Sequence, residues 1–319
     1  MTNFQYLKPS GSPFVDRHVT RFSDIVHTWD GRELLGVGLI GAPLSKSSIS
    51  HSGAHLAPGT IRKAFAAFST YSIEEDFELD KWDIKDLGDI VMHVTDIVQS
   101  QERIFTTLAE VYEQHPNFLP IILGGDNSIT YPTVKALAKA KGRVGVIQFD
   151  AHHDVRNLED GGPSNGTPFR SLLETQTING NHLVQIGIRD FSNGKAYRTY
   201  ATEHGVTIYT MKDVRERPIK ALIKEAIEQL QNEVDVIYVS LDMDVVDQAE
   251  APGCPAIGPG GMSASTLIEA ITYLGEQPMV KGLEIVEIDP TVDFRNMTSR
   301  LAAHVVLHFL KGKEKAGLR

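Results

Sequence analysis

The sequence predicts an α/β fold in which a parallel sheet is covered by helices on both faces. Short apolar runs rich in β-branched residues recur along the chain, at residues 35–40, 119–123, 144–149, 183–188, 236–241 and 282–286. Continuous apolar runs of this kind suit strands buried on both faces rather than strands with one wet face. Between them lie segments with helical spacing. Ile104, Leu108, Val111 and Tyr112 share one helical face, as do Ile219, Leu222, Ile223, Ala226, Ile227 and Leu230. Alternation of the two element types favours parallel pairing, since each parallel connection needs a crossover. The 319 residues show no internal repeat, no low-complexity segment and no linker-like shift in composition, so a single domain over residues 1–319 is expected. Stretches rich in Gly, Pro and Ser at 45–58, 160–168 and 250–261 are expected to be long loops on one rim.

Composition narrows the function classes. With 41% hydrophobic and 23% charged residues, the chain is an ordinary globular protein rather than a disordered or fibrous one. Lys plus Arg number 31 against 41 Asp plus Glu, a formal charge of −10, and no basic run supplies a phosphate-binding surface, so no nucleic-acid partner is expected. No apolar run reaches the length of a membrane span; residues 118–123 and 301–310 fit buried elements instead. Cys254 is the only cysteine, which rules out an intrachain disulfide, and residues 1–10 lack the apolar core of a signal peptide. A cytoplasmic location is expected.

In open α/β sheets ligands bind beyond the carboxyl ends of the strands. Gly124-Gly125-Asp126-Asn127-Ser128 follows the run at 119–123; Asp150-Ala151-His152-His153-Asp154 follows 144–149; Asp242-Met243-Asp244 follows 236–241; Glu287 follows 282–286. Asp150, His152 and Asp154 are spaced by two, as are Asp242 and Asp244, and in extended chain each set points to one side. Five potential ligands would then converge on one rim. So many carboxylates cannot share a site unpaired, because like charges raise one another's pKa values. A divalent cation resolves the repulsion, and four carboxylates with one imidazole form a hard, oxygen-rich set that suits Mn²⁺ better than a structural zinc. The ligand count exceeds what one ion takes from protein, which points to two metals bridged by shared carboxylates.

These segments carry a family resemblance. GGDNS at 124–128, DAHHD at 150–154, SLDMDVVD at 240–247 and EIVEIDP at 284–290 resemble the motifs of the ureohydrolase superfamily of arginases, agmatinases and formimidoylglutamases, in the same order. Residues 53–62 (GAHLAPGTIR) resemble its glycine-rich segment before the first helix. The resemblance implies an arginase-like three-layer α/β/α fold with a central, mainly parallel sheet and a binuclear manganese centre, two Mn²⁺ per chain. It makes Asp150, His152, Asp154, Asp242 and Asp244 metal ligands, with Asp150 and Asp242 bridging. The remaining family ligand, usually a histidine, is Asn127 here, a neutral and weaker donor, so the first metal is expected to be held loosely. Hydroxide generated between the metals would attack an amidine carbon, Asp154 would relay its proton to the leaving amine, and Glu287 would pair with the cationic substrate group.

The amidine can be narrowed. Arg156, two residues after Asp154, would repel a guanidinium substrate but suits bidentate capture of a carboxylate. DAHHDVR at 150–156 resembles the version found in formimidoylglutamases. Asn165 stands where arginases and agmatinases place a proton-shuttling histidine. Arg189 is a second candidate anion clamp, along with Asn193. The expected activity is hydrolysis of N-formimino-L-glutamate to L-glutamate and formamide, a step of histidine degradation. Other guanidine or amidine hydrolysis, on a guanidino acid, agmatine or arginine, and a catalytically silent binding protein are the alternatives. The partner is a small molecule bearing carboxylates, and the resemblance implies a homo-oligomer, trimeric or hexameric.

Other features are given structural roles. His304 and His308 lie four apart on an expected C-terminal helix without the glutamate of a zinc protease motif, and read as a packed or interface pair. His51 and His55 belong to a loop, His153 points away from its neighbouring ligands, and Cys254 packs in a Pro/Gly loop.

Overall fold

The computed structural model describes Leu7, residues 14–50 and residues 52–318. His51 and most of residues 1–10 lie outside the described residues, so the loop role of His51 and the reading of the N-terminus have no structural counterpart here. Eleven strands are formed among the described residues: β1 (Val26–Thr28), β2 (Val37–Ala42), β3 (Tyr71–Ser72), β4 (Phe77–Glu78), β5 (Ile84–Asp89), β6 (Leu119–Gly124), β7 (Val144–Phe149), β8 (Leu183–Ile188), β9 (Thr207–Thr210), β10 (Val236–Asp242) and β11 (Val280–Val286). Nine join one sheet in the order β1-β5-β2-β6-β11-β10-β7-β8-β9, and each of its pairings is parallel. β3 and β4 form a separate antiparallel pair.

The apolar runs are strands because both of their faces are covered. Leu39, Ile121, Leu123, Ile147, Phe149, Val184, Ile186, Ile237, Val239 and Leu241 face one core, which is completed by helices Ala57–Ala64, Ile219–Leu230, Ala264–Gly275 and Met297–Lys315. The alternate residues Ile40, Ile122, Val144, Val146, Leu183, Val236 and Tyr238 face the other, completed by helices Ile97–Gln114, Thr130–Lys141 and Pro168–Glu174. Three layers result. At roughly 1.5–3 kcal/mol for each large apolar side chain buried, these two interfaces dominate the favourable side of folding. The expected helices form where the spacing put them, with Ile104, Leu108 and Tyr112 buried on one and Ile219, Leu222, Ile223, Ala226 and Leu230 on the other. Asp96 caps the first of these by accepting from the Gln99 N–H at 2.9 Å.

Three sheet strands carry no continuous apolar run. β1 and β9 are edge strands with half-buried or exposed residues, and β5 reads IKDLGD, with charges breaking the pattern. The run expected at 35–40 is shifted, since Leu35 is exposed and pairing begins at Val37.

The loop after β6 is fixed by a close crossing. Gly125 N–H donates to the Ala42 carbonyl and Asp126 N–H to that of Leu44, and a Cβ on Gly125 would sit 1.9 Å from the Leu44 oxygen. The glycine is therefore a steric requirement. The expected rim loops meet there as well: Asn165 N–H donates to the Ser47 carbonyl, and Asp289 N–H donates to that of Gly253. The first loop is shorter than its composition suggests, because residues from Ala54 onward enter a 3₁₀ turn and a helix.

The last helix lies against its neighbour through glycine on each side. A Cβ on Gly312 would meet the Thr272 carbonyl at 2.1 Å, and one on Gly275 would meet that of Phe309 at 2.3 Å. Backbone atoms cannot swing away as a side chain can. Gly312→Ala is expected to cost about 1–3 kcal/mol of stability, read as a lowered thermal midpoint, whereas Gly59→Ala, with open space around its Cβ position, should leave the midpoint nearly unchanged.

Candidate metal centre

Four adjacent strands, β6, β11, β10 and β7, deliver the candidate residues to one rim. Asp242 is the last residue of β10; Asn127, Asp150 and Glu287 follow the ends of β6, β7 and β11. Their oxygens and nitrogens form two compact groups, Asp150 with His152 and Asp244, and Asp150 with Asp154 and Asp242, each with its ligand atoms within 4.8 Å of one another. Asp150 belongs to both. Asn127 joins the second: its Nδ2 donates to Asp154 Oδ2 at 2.7 Å and to Asp150 Oδ2 at 3.2 Å, while its Oδ1 accepts from Thr130 Oγ1 at 2.6 Å.

The residues meet by a different route from the extended spacing read in the sequence. Beyond β7 the chain bends at once, and Asp150 Oδ1 accepts the His152 N–H at 2.6 Å. Beyond β10 a 3₁₀ turn, Met243–Val245, folds Asp244 back so that Asp242 Oδ1 accepts its N–H at 2.9 Å. Asp154 lies at φ 49° and Glu287 at φ 60°, both in the left-handed region that costs an ordinary side chain. Because Asp154 is left-handed, Arg156 does not continue along the same side. It is exposed on the rim, its guanidinium 5.6 Å from the Tyr197 ring and its side chain packed on Gly166.

Glu287 is buried, its Oε1 accepting from Asn127 N–H at 2.8 Å and from Asn165 Nδ2 at 3.1 Å. Asn165 is therefore at the site, in contact with Glu287. Arg189 is 8% exposed, and its Nη1 donates to the Asp244 carbonyl at 3.0 Å, which makes it a brace behind the acidic loop. With His152 it also borders a cavity of about 730 Å³. Asn193 is no anion clamp: its Oδ1 accepts the His153 N–H and its Nδ2 donates to the Ala151 carbonyl, so both ends hold the loop between the acids. His153 is buried and points to Gln185, as expected of a residue facing away from the acids.

Several polar residues here carry no signal in the apolar pattern. Asp126 is fully buried, accepts from Ser47 and Ser128, and ties the first rim loop to the site. Glu284, buried within β11, accepts from Thr130 and Tyr238 beneath Asn127. The remaining histidines and the cysteine lie away from the acids. His304 and His308 stack with ring centres 5.7 Å apart, His304 meets Phe68 edge-on, Cys254 is buried in the core, and His55, exposed in the 3₁₀ turn that replaces the expected loop, bonds Ser45.

Electrostatics test whether a cation fits. Burial, with Asp244 adding to it, pushes Asp150 up to about 6. Burial and then Asp150 push Asp154 well above the carboxylate range, and burial and then Asp244 do the same to Asp242. Glu287 is raised to about 8 by burial and then by Asp126. Burial opposes a charge on His152, yet Asp244 and Asp150, 3.0 and 3.5 Å from its Nδ1, outweigh it and raise the imidazole to about 12. Burial also opposes ionisation of Asp244, which the His152 imidazole nevertheless holds below its ordinary value. Buried carboxylates this crowded demand positive charge, and the hard oxygen donors with one imidazole fit a divalent ion such as Mn²⁺.

The family model described as the arginase family matches residues 35–311. The chain is 62% identical over 313 residues to the formimidoylglutamase of Halalkalibacterium halodurans, covering 98% of both chains. It is 57% identical over 312 residues to that of Bacillus subtilis, covering 98% of both. The crystal structure of the Bacillus subtilis formimidoylglutamase superposes with a TM-score of 0.95 at 57% identity, over 97% of this chain and 96% of that one. The Trypanosoma cruzi formiminoglutamase, solved with Mn²⁺, shares the fold at 24% identity and a TM-score of 0.83, over 92% of this chain and 98% of that one.

The raised groups have a stability consequence in protein stripped of metal. An acid whose folded pKa lies above its unfolded value near 4 binds more protons when folded, so its contribution is full at low pH and is lost as pH rises toward the folded pKa. His152, raised from an ordinary value near 6.5, acts with the same sign at higher pH. Metal-stripped protein is therefore expected to melt at progressively lower temperature between pH 5 and pH 8, the window set by Asp150 at about 6 and Glu287 at about 8. Added Mn²⁺ should flatten or reverse that slope in calorimetry; a melting temperature that rises with pH in the stripped protein would contradict it.

Proposed function

Because the chain belongs to the arginase family, we propose that it hydrolyses N-formimino-L-glutamate to L-glutamate and formamide with two Mn²⁺ ions per chain. The observation that carries this reading is the near full-length likeness to formimidoylglutamases. In this reading residues 1–319 form a single catalytic domain that works as a homo-oligomer in the cytoplasm. No helix among the described residues is long and apolar enough to cross a membrane.

One ion would be held by Asp150, His152 and Asp244, and the other by Asp150, Asp154, Asp242 and Asn127, with Asp242 also reaching the first. When bound, the pair supplies a hydroxide nucleophile near neutrality by lowering the pKa of water. Water adds to the formimino carbon, the bond from that carbon to the α-nitrogen breaks, and the nitrogen leaves as an amine after taking a proton. Asp154 is placed to carry that proton. Glu287 pairs with the cationic formimino group, and Asn165, donating to Glu287 Oε1, holds the carboxylate in position. Arg156 on the rim takes a substrate carboxylate in a bidentate pair, while Arg189 steadies the Asp244 loop and adds positive charge behind it.

Asn127 would serve the ion that it shares with Asp154, the loosely held one, only with its amide turned. In the geometry described, Nδ2 faces the acids and Oδ1 faces Thr130. A half-turn about the last side-chain bond presents Oδ1 to the ion and Nδ2 to the Thr130 hydroxyl, which can accept it while donating to Glu284 Oε1, 2.5 Å away. The turned amide thus keeps every hydrogen bond on its buried side. A neutral amide oxygen remains a weak donor, so this ion is the more easily lost.

Steady-state assays with added Mn²⁺ on N-formimino-L-glutamate, arginine and agmatine test the reading. Turnover of the first is expected to exceed the others by orders of magnitude, and faster use of arginine or agmatine would sink it. Arg156→Ala is expected to raise KM for N-formimino-L-glutamate by about tenfold or more, the scale of one charged hydrogen-bonded pair, with metal content unchanged. Asn127→His is expected to tighten the more weakly held Mn²⁺, measured as manganese retained per chain after dialysis. Equal retention in both proteins would remove Asn127 from the ligand set.

A further inference from the structure

Beneath the shared carboxylate Asp150 the sheet buries three polar side chains that the reaction does not use: Gln148 on β7, Gln185 on β8 and His153 in the loop after β7. Gln148 and Gln185 are both 0% exposed and His153 is 2% exposed. The two glutamines are register partners on adjacent strands, so their amides lie side by side. Gln148 Nε2 donates to Asp150 Oδ2 at 2.7 Å; Gln148 Oε1 accepts from Gln185 Nε2 at 2.7 Å; Gln185 Oε1 lies 2.7 Å from His153 Nδ1.

The chain of bonds has a direction. Gln185 Nε2 is committed to Gln148 Oε1 and to the His153 carbonyl, so its Oε1 can only accept, and the ring must carry its proton on Nδ1. No amide in the row can flip alone without setting two acceptors or two donors against each other. From ring to amide to amide, the side-chain bonds of the row therefore all run toward Asp150. The same Gln148 Nε2 also reaches the His152 carbonyl at 3.2 Å, tying the backbone between two candidate ligands to the shared carboxylate.

We propose that Gln148 and Gln185 are positioning residues that fix the orientation of Asp150 between the two ions, with His153 setting the direction of the row. This rests on the metal-centre reading above. An aspartate that serves two ions must present both oxygens at a set angle; the His152 N–H holds Oδ1, and the longer 3.2 Å bond from Asn127 Nδ2 to Oδ2 is given up when that amide turns its oxygen to the ion. Gln148 supplies the second fixed point on Oδ2. Gln185 touches neither Asp150 nor any other candidate ligand and acts only by denying the Gln148 amide its alternative orientation. Outer partners of this kind are worth about 10–100-fold in metal affinity.

The test uses full-length wild type, Gln148→Leu, Gln185→Leu and the double variant. Manganese affinity is measured by titration, the electron paramagnetic resonance spectrum is recorded at two Mn²⁺ per chain, and melting is followed after metal removal. Gln148→Leu is expected to weaken Mn²⁺ binding by about 10–100-fold and to replace the spectrum of a coupled pair with that of isolated ions. Gln185→Leu is expected to act in the same direction without contacting a ligand, and the double variant to be no worse than Gln148→Leu alone, as for links of one row. Wild-type affinity and a coupled spectrum in both single variants would overturn the proposal, as would losses that add in the double variant and track the fall in metal-free melting. Should Gln148→Leu fail to fold, Gln185→Leu decides on the same readouts. Failure of the wild type itself to bind two ions would instead overturn the metal-centre reading, and this proposal with it.

Discussion

Four carboxylates, Asp150, Asp154, Asp242 and Asp244, are forced together inside a low-dielectric rim, and the arrangement around them follows from their repulsion. The sheet leaves no choice about proximity: β10 pairs with β7 and with β11, and the strand ends therefore deliver their acids side by side. Left alone, such acids would hold protons or push the loops apart. Each surrounding contact opposes one of those outcomes. His152 sits between Asp150 and Asp244, the amides of Asn127 and Gln148 point N–H groups at Asp150, and Ala151 N–H donates to Asp244 Oδ1 at 3.1 Å. Arg189 and Asn193 hold the loops from behind through backbone carbonyls, leaving the carboxylate oxygens facing inward. A cation placed at the centre makes the repulsion an attraction without moving the scaffold.

The fold and the acids were legible in the sequence for separable reasons. Continuous β-branched runs survive only where both faces are covered, and β6, β7, β8, β10 and β11 are such strands. The acids stand out because several charges directly after neighbouring buried runs exceed what capping of single turns requires. The spacing by two identified the residues, but the geometry behind it differs. Asp150 and Asp242 each turn back to cap the residue two further on, so alternate residues converge through tight turns instead of along an extended strand. Asp154 then breaks the series by its left-handed backbone, which removes Arg156 from the line that spacing alone would draw.

What the sequence concealed is mainly the polar interior. Gln148, Gln185 and Glu284 sit inside apolar runs, where a pattern search reads one polar residue as an interruption. Their roles depend on neighbours far along the chain, Gln148 on Gln185 across the β7–β8 pair and Glu284 on Thr130. A glutamine or glutamate in a strand otherwise buried on both faces is nonetheless a usable signal, because such a group must be hydrogen-bonded and its partners must also be buried. Arg189 and Asn193 show a gap of another kind. Their place after a strand suggests anion clamps, but the backbone groups of sharply turned loops need partners too; both Asn193 ends are taken up in this way, and Arg189 gives one donor to a loop carbonyl while still bordering the cavity.

The formal charge of −10 has a different meaning at the site than over the surface. Outside, acids such as Asp30, Glu174 and Glu225 meet Arg32, Arg170 and Arg217 in exposed or partly exposed pairs that add little to stability. Inside, the four central acids have only His152 as a candidate cationic partner within ion-pair distance among the described residues. Two divalent ions carry a charge equal and opposite to that of the four ionised carboxylates, so a loaded centre would be locally neutral before any surrounding charge is counted. Arg189 behind the loop and Arg156 on the rim then tip the balance positive at the mouth. An acidic protein can in this way present a field that suits an anionic ligand when the ions are in place; with the ions removed the four positive charges that they bring are lost. Under the proposed function, anion binding at the mouth would thereby be coupled to metal occupancy through charge, independently of any bond between the two.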